Sequence, residues 1–373
     1  MGLLKFSDLP VNTLVGADWK TFKAVVNGRY IAPEKRVKFF FTKCLCRLLS
    51  LFVPLQERKY QRLLANEPLQ HDPLFILGHW RSGTTFVHNV FAQDSRFGYT
   101  TTYQTVFPHH MMVMQWLLKP IMKMLMPSHR PTDKMELNPD LPQEEEFALV
   151  NLCPVSYYHF WLFPQSMREY CDRFLTMKKA TPEETADFKD KFMKLVKVSM
   201  WNSDHAVRDA QYLSKNPPHT GKVRTLVEMF PDAKFVYLIR NPYTVFESSR
   251  SFFTQTIAPL QLNSIPTEEM EQNILYAYRE LYDAYQEQKK YIPQGNLYEV
   301  RFEDFEKNPL EITERIYRQL GIPGWDEARP AIEAYISKKK GFRKNQYSYD
   351  SRTVSMVNEA WGDILDDLGY ERL

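Results

Sequence analysis

Pro73-Leu74-Phe75-Ile76-Leu77-Gly78-His79-Trp80-Arg81-Ser82-Gly83-Thr84-Thr85 runs an apolar segment into a loop bounded by two glycines, and then into the start of a helical pattern. A short continuous apolar run of this kind reads as a strand buried on both faces. A strand, loop and helix in that order can cradle an oxyanion, because backbone N–H groups at the helix start point at the ligand and the helix dipole favours negative charge. Ser82, Thr84 and Thr85 add hydroxyl donors, and Arg81 adds a planar, permanently charged guanidinium able to bridge two oxygens. Gly78 and Gly83 have the spacing of a Walker loop, G-x-x-x-x-G-K-[ST], yet Thr84 stands where that loop has Lys and the cation has moved to Arg81. That displacement argues against a nucleoside triphosphatase.

A second apolar run, Phe235-Val236-Tyr237-Leu238-Ile239, ends in Arg240, where a Walker B strand would end in a Mg²⁺-binding Asp. The segment from Tyr243 to Ser249 has a helical pattern and places the Ser248 hydroxyl two turns beyond Arg240. An Arg at a strand end and a Ser on the following helix can hold a second anionic group.

Together these two segments resemble the sulfotransferases that use 3′-phosphoadenosine 5′-phosphosulfate (PAPS). Arg81-Ser82-Gly83-Thr84-Thr85 is similar to their 5′-phosphosulfate loop, and Arg240 with Ser248 to their 3′-phosphate site. Lys215-Asn216-Pro217 resembles the Lys-x-Pro element of the tyrosylprotein branch and related bacterial members, and Val300-Arg301-Phe302-Glu303-Asp304-Phe305 the Val-x-Tyr-Glu-x-Leu strand end. The likeness runs from about Pro73 to the C-terminus. It departs at Trp80, where Pro is usual, and at Phe302, where the Tyr hydroxyl is missing.

The resemblance implies a P-loop-like, doubly wound α/β fold: a mainly parallel sheet flanked by helices, with helical insertions and an N-terminal helical extension. It implies PAPS as co-substrate, adenosine 3′,5′-bisphosphate as product, and no metal. Arg81, Ser82, Gly83, Thr84, Thr85, Arg240 and Ser248 would bind the donor. Lys338-Lys339-Lys340-Gly341-Phe342-Arg343-Lys344 is similar to the basic loop that closes over the 3′-phosphate, which adds Arg343 and Lys344; a solvated charge run is the alternative. Lys215 and Arg81 would stabilise the leaving phosphate. Sulfo transfer needs in-line attack and equatorial charge stabilisation, which cations and backbone donors can supply.

A weakly nucleophilic acceptor hydroxyl calls for a general base. Pro142-Gln143-Glu144-Glu145-Glu146 opens a helical pattern with three carboxylates. One of them, Glu144, is the first candidate, because similar family members carry an acidic pair here; the others are expected to form a solvated first turn. The cytosolic branch uses a His, which keeps His109 and His110 open.

The chain of 373 residues is 44% hydrophobic, enough for a large core. With 48 basic against 45 acidic residues the net charge is +3, which excludes a dominant basic field and with it nucleic-acid binding. Cys44, Cys46, Cys153 and Cys171 lack zinc spacing and point to a reducing, cytoplasmic setting. The N-terminal residues match neither a signal peptide nor a myristoylation site.

Two parts are expected: an amphipathic helical extension over 1–70, and the transferase domain over 71–373 with a helical insertion around 107–205. Residues 30–64 read as helical with a break at Pro54. Their interleaved cations exclude a membrane span, but allow either packing on the domain or peripheral membrane contact. The Met-rich stretch Met111–Met126 and the aromatics Phe147, Tyr157, Tyr158, Phe160, Trp161 and Phe163 suit a small hydrophobic, hydroxyl-bearing acceptor such as a sterol or lipid alcohol, although a core role is the commoner use of such residues. The competing functions are a P-loop phosphotransferase or kinase, and a catalytically inactive nucleotide-binding membrane adaptor. The oligomeric state is left open by the sequence.

Overall fold

The computed structural model describes residues 11–129, 136–207, 209–339 and 348–373. The chain forms two compact units, each assembled from separated stretches. The first comprises residues up to Leu69 with Tyr99–Asp204 and Phe252–Thr267; the second comprises Gln70–Gly98, His205–Ser251 and Glu268–Leu373.

The second unit holds the sheet. Its strands are β1 (Leu74–Gly78), β2 (Phe97–Gly98), β3 (Gln211–Lys215), β4 (Lys234–Ile239) and β5 (Leu297–Arg301), in the order β2-β3-β1-β4-β5. All four pairings are parallel. Every residue of β1 is buried, as its unbroken apolar run requires of a central parallel strand. Leu74, Ile76, Leu213, Val236 and Leu238 share one core with Val87 and Phe91 from the helix after β1 and with Ile316 and Ile332 from the later helices. The register sets Ile76 beside Lys215 and Gly78 beside Leu238, so the loop after β1 is framed by both neighbouring strand ends. Ligands of open parallel sheets bind outside these carboxyl ends.

The first unit is helical. Thr181 caps the helix Pro182–Trp201 in a reciprocal capping box with Glu184. Residues 36–63 form helix Arg36–Leu49, a tight turn Ser50–Phe52, and helix Val53–Leu63. The break therefore falls ahead of Pro54, which occupies the first turn of the next helix, where its missing N–H costs nothing. Met111 and Met112 are core residues beside Tyr60, Leu152 and Leu195. The helix Gln115–Leu125 runs through Pro120 rather than stopping there. The four cysteines are free thiols. No helix among the described residues is long and apolar enough to cross a membrane.

Candidate active site

The loop between β1 and helix Thr84–Phe91 departs from ordinary backbone geometry twice. Arg81 has φ 69° and Gly83, the residue that starts the helix, φ 88°. Left-handed conformations at a non-glycine residue are uncommon and collect at ligand-binding loops. A turn of this kind can present peptide N–H groups to an anion; here Ser82 N–H closes it on the His79 carbonyl at 3.1 Å. Gly83 contributes no side-chain cap to the helix. It must be glycine for a second reason: a Cβ there would stand 2.2 Å from the Phe302 ring. Gly78 likewise admits no side chain, since a Cβ would lie 2.9 Å from the Leu238 carbonyl oxygen. Phe302, the departure from the family's Tyr, thus fills the space over the loop, and the Arg240 guanidinium sits 5.0 Å from its ring centre.

The structure brings three of the sequence-selected donor residues together directly. Arg81 Nε donates to Ser248 Oγ at 2.8 Å, and Arg240 donates to the Arg81 carbonyl at 2.6 Å. Ser248 lies on helix Pro242–Phe252, which follows β4. The start of that segment is pinned by Asn241 N–H donating to Glu303 at 3.0 Å, with the Tyr370 hydroxyl donating to the same carboxylate at 2.9 Å. Two guanidinium groups and a hydroxyl are thereby held around the loop by parts of one unit. Ser82 and Thr84 are almost wholly buried within it.

Lys215 ends β3 and is 1% exposed, and its Nζ lies 3.5 Å from Thr85 Oγ1. Beside it, buried His88 is kept neutral: burial, and then the Lys215 charge, hold its pKa well below the usual histidine value.

Sequence reasoning missed Thr220. Its hydroxyl accepts from Gly78 N–H at 2.9 Å and lies 3.3 Å from the Gly78 carbonyl, stapling the strand end from which the loop departs. Four residues separate it from Lys215, on a short 3₁₀ segment, Pro217–Lys222, whose role has no periodic signature. His79, also unselected, is buried against Tyr278 and pushed down to about 4 by desolvation.

The base candidates lie in the first unit. Glu144 is half-buried and accepts the Tyr158 hydroxyl. Glu145 and Glu146 are fully buried rather than solvated. Glu146 accepts from Ser156 Oγ and Tyr157 N–H, each at 2.8 Å, and so closes a turn instead of complementing a dipole in water. His109 Nε2 contacts the Asn151 carbonyl at 3.1 Å and Asp18 at 3.5 Å, and burial lowers its pKa to about 4. His110 is buried and bonded to the Leu49 carbonyl at 3.0 Å. Around Glu144, Tyr158 stacks on Trp161 at 4.4 Å, and Phe147 meets Trp161 edge-on at 4.9 Å. Arg343 and Lys344 lie outside the described residues.

Residues 73–327 match the Sulfotransferase family. The chain belongs to that family and is an enzyme that transfers a sulfo group. Over 360 residues it is 28% identical to the omega-hydroxy-beta-dihydromenaquinone-9 sulfotransferase Stf3 of Mycobacterium bovis, a match covering 96% of this chain and 91% of that protein. The Mycobacterium tuberculosis Stf3 matches to the same extent. Crystal structures of sulfotransferase STF9 from Mycobacterium avium and STF1 from Mycobacterium tuberculosis share the fold. Their TM-scores are 0.71 and 0.68 at 18% and 17% identity; the first match covers 93% of this chain and 89% of STF9, the second 92% and 90% of STF1.

Proposed function

We propose that the sulfo donor is PAPS and that the acceptor is a hydroxyl on an apolar molecule of lipid character. The observation that carries the donor assignment is the cluster that Ser248 and Arg240 form with Arg81 of the left-handed loop, with the Lys215 ammonium beside Thr85. Two guanidinium groups, a cation and a helix start suit a ligand with two separated anionic groups better than a single phosphate. A triphosphate bound through Mg²⁺ fits less well, because Thr84 and Arg240 occupy the Lys and Asp positions that such a reaction uses.

In this reading Ser82, Gly83, Thr84 and Thr85 hold the 5′ end of the donor, and Arg240 and Ser248 its 3′-phosphate. The resemblance assigns Arg343 and Lys344 to the same phosphate. Arg81 and Lys215 stabilise charge building on the bridging oxygen as the S–O bond breaks. Glu144 accepts the proton of the acceptor hydroxyl as the new bond to sulfur forms, and Tyr158 orients that carboxylate. His109 is the second candidate. Its ring is already engaged by Asn151 and Asp18, which favours a packing role.

The acceptor class rests on the aromatic wall beside Glu144 and on likeness to an enzyme named for a hydroxylated, isoprenoid-tailed quinone. A lipidic acceptor also suits peripheral association with a membrane. The test is mass spectrometry of products from PAPS with a panel of sterols, sphingolipids, phenols and hydroxylated prenyl quinones, beside calorimetry with adenosine 3′,5′-bisphosphate. A sulfo-group mass gain confined to one lipid class is expected. No bisphosphate binding would refute the donor, and sulfation of the phenols alone would refute the acceptor class. Glu144→Ala and His109→Ala separate the bases: the true one loses turnover, roughly 10²-fold or more, while bisphosphate affinity persists.

A further inference from the structure

Two helices of the first unit are turned inside out. On helix Arg36–Leu49, Val37, Phe40, Phe41, Cys44, Leu45 and Leu48 recur at i, i+3, i+4, i+7, i+8 and i+11, one continuous stripe, and all of them are exposed. Phe40 is 60% and Val37 68% exposed. The buried side carries Thr42, Cys46 and Leu49. Helix Gln115–Leu125 repeats the arrangement. Trp116, Leu117, Ile121, Met124 and Leu125 form an exposed stripe, with Trp116 at 76% and Met124 at 72%. Its buried Leu118 shares a small core with Leu49, so both helices are anchored to one cluster. An amphipathic helix of a water-soluble domain normally shows the opposite pattern, and exposed apolar surface gathered in this way marks an interaction site.

Charge points to the occupant. Between Lys35 and Gln56 the chain has five cations, Lys35, Arg36, Lys38, Lys43 and Arg47, and no carboxylate. Arg36, Lys43 and Arg47 fall at i, i+7 and i+11, along one edge of the exposed stripe. Exposed Lys123 lies next to Met124 on the second helix. An apolar stripe edged by cations, with a Trp at one helix start, is the pattern of helices that lie in the plane of an anionic bilayer.

We infer that these two stripes form a docking surface for an anionic lipid bilayer, with Phe40, Phe41, Leu48, Trp116 and Met124 entering the interface and Arg36, Lys43 and Arg47 meeting lipid phosphates. The inference stands apart from the donor assignment, since none of these residues belongs to the loop that holds it.

Cosedimentation of the full chain with phosphatidylcholine vesicles, with and without phosphatidylglycerol, tests it. The parent protein should partition onto the phosphatidylglycerol vesicles. Phe40→Ser with Trp116→Ser should lower the partition coefficient at least about tenfold. Lys43→Glu with Arg47→Glu should remove the preference for the anionic vesicles. All four positions are exposed, so both variants should keep the parent's circular dichroism and its affinity for adenosine 3′,5′-bisphosphate. A parent protein that stays in the supernatant with both vesicle types overturns the inference. So does a dimer in sedimentation velocity that the Phe40→Ser, Trp116→Ser variant dissolves, because a second copy would then cover the face.

Discussion

Replacing Gly83 by Ala tests the geometry of the oxyanion loop at its tightest point. The substitution adds one methyl group and changes no charge. At φ 88° a β-carbon costs about 1–2 kcal/mol through its clash with the following carbonyl. The same carbon would stand 2.2 Å from the Phe302 ring, so the ring or the loop must move, at a typical overpacking cost of about 1–3 kcal/mol. The expected loss of stability is therefore roughly 2–5 kcal/mol. Urea denaturation of parent and variant, followed by fluorescence, measures it. A partial reversal identifies the cause. In a Phe302→Leu background, only the backbone share of about 1–2 kcal/mol should remain, and the two substitutions should couple as contacting residues do. Loop displacement of the order of an ångström should also lower turnover by about 10²-fold. If Gly83→Ala stays within about 0.5 kcal/mol of the parent, or costs the same in both backgrounds, the close approach of Phe302 to the loop is wrong.

Lys215→Met keeps the stem volume and removes the ammonium. Turnover is expected to fall about 10²–10³-fold, and affinity for the bisphosphate product to fall with it, because the charge that builds on the bridging oxygen remains on the product's 5′-phosphate; unchanged turnover would refute that role. Acid should destabilise the fold early. His79, His109 and His159 each have a folded pKa of about 4 against about 6.5 unfolded, so below pH 6.5 the unfolded chain binds protons that the native chain refuses. Stability is complete above that pH and is lost as pH falls from 6.5 towards 4, by at most on the order of 3 kcal/mol per ring. Urea midpoints taken across that range check it, and His159→Gln should flatten the slope.

What the sequence made legible was local and one-sided. The run Pro73–Thr85 declares itself because a doubly buried strand must be apolar throughout and a left-handed helix start must be glycine, so both requirements are written into adjacent letters. Arg240 and Ser248 were legible for the same reason, at a strand end and on the helix that follows. β2, only two residues long, and β3, with its Gln, Tyr and Ser, offer no comparable run and emerge only from their pairing. The role of Thr220 depends on a contact 142 residues away, which no short-range pattern encodes. Burial of Glu145 and Glu146 was hidden because charged side chains at a helix start ordinarily meet water, and only the fold supplies Ser156 and Tyr157 as partners for the second. The apolar stripe of residues 36–49 was visible as a periodicity. Periodicity does not say which side faces inward, since that depends on what the opposite side binds.

That opposite side is attached by directional bonds. Thr42 Oγ1 accepts from Asn12 N–H at 2.9 Å, and Cys46 Sγ donates to the Ala17 carbonyl at 3.2 Å. Grease alone would let the helix roll until its phenylalanines hid from water. Fixed donors and acceptors act as a keyed shaft, locking the rotation whatever surrounds the molecule, so the sticky edge stays presented even when nothing is there to receive it.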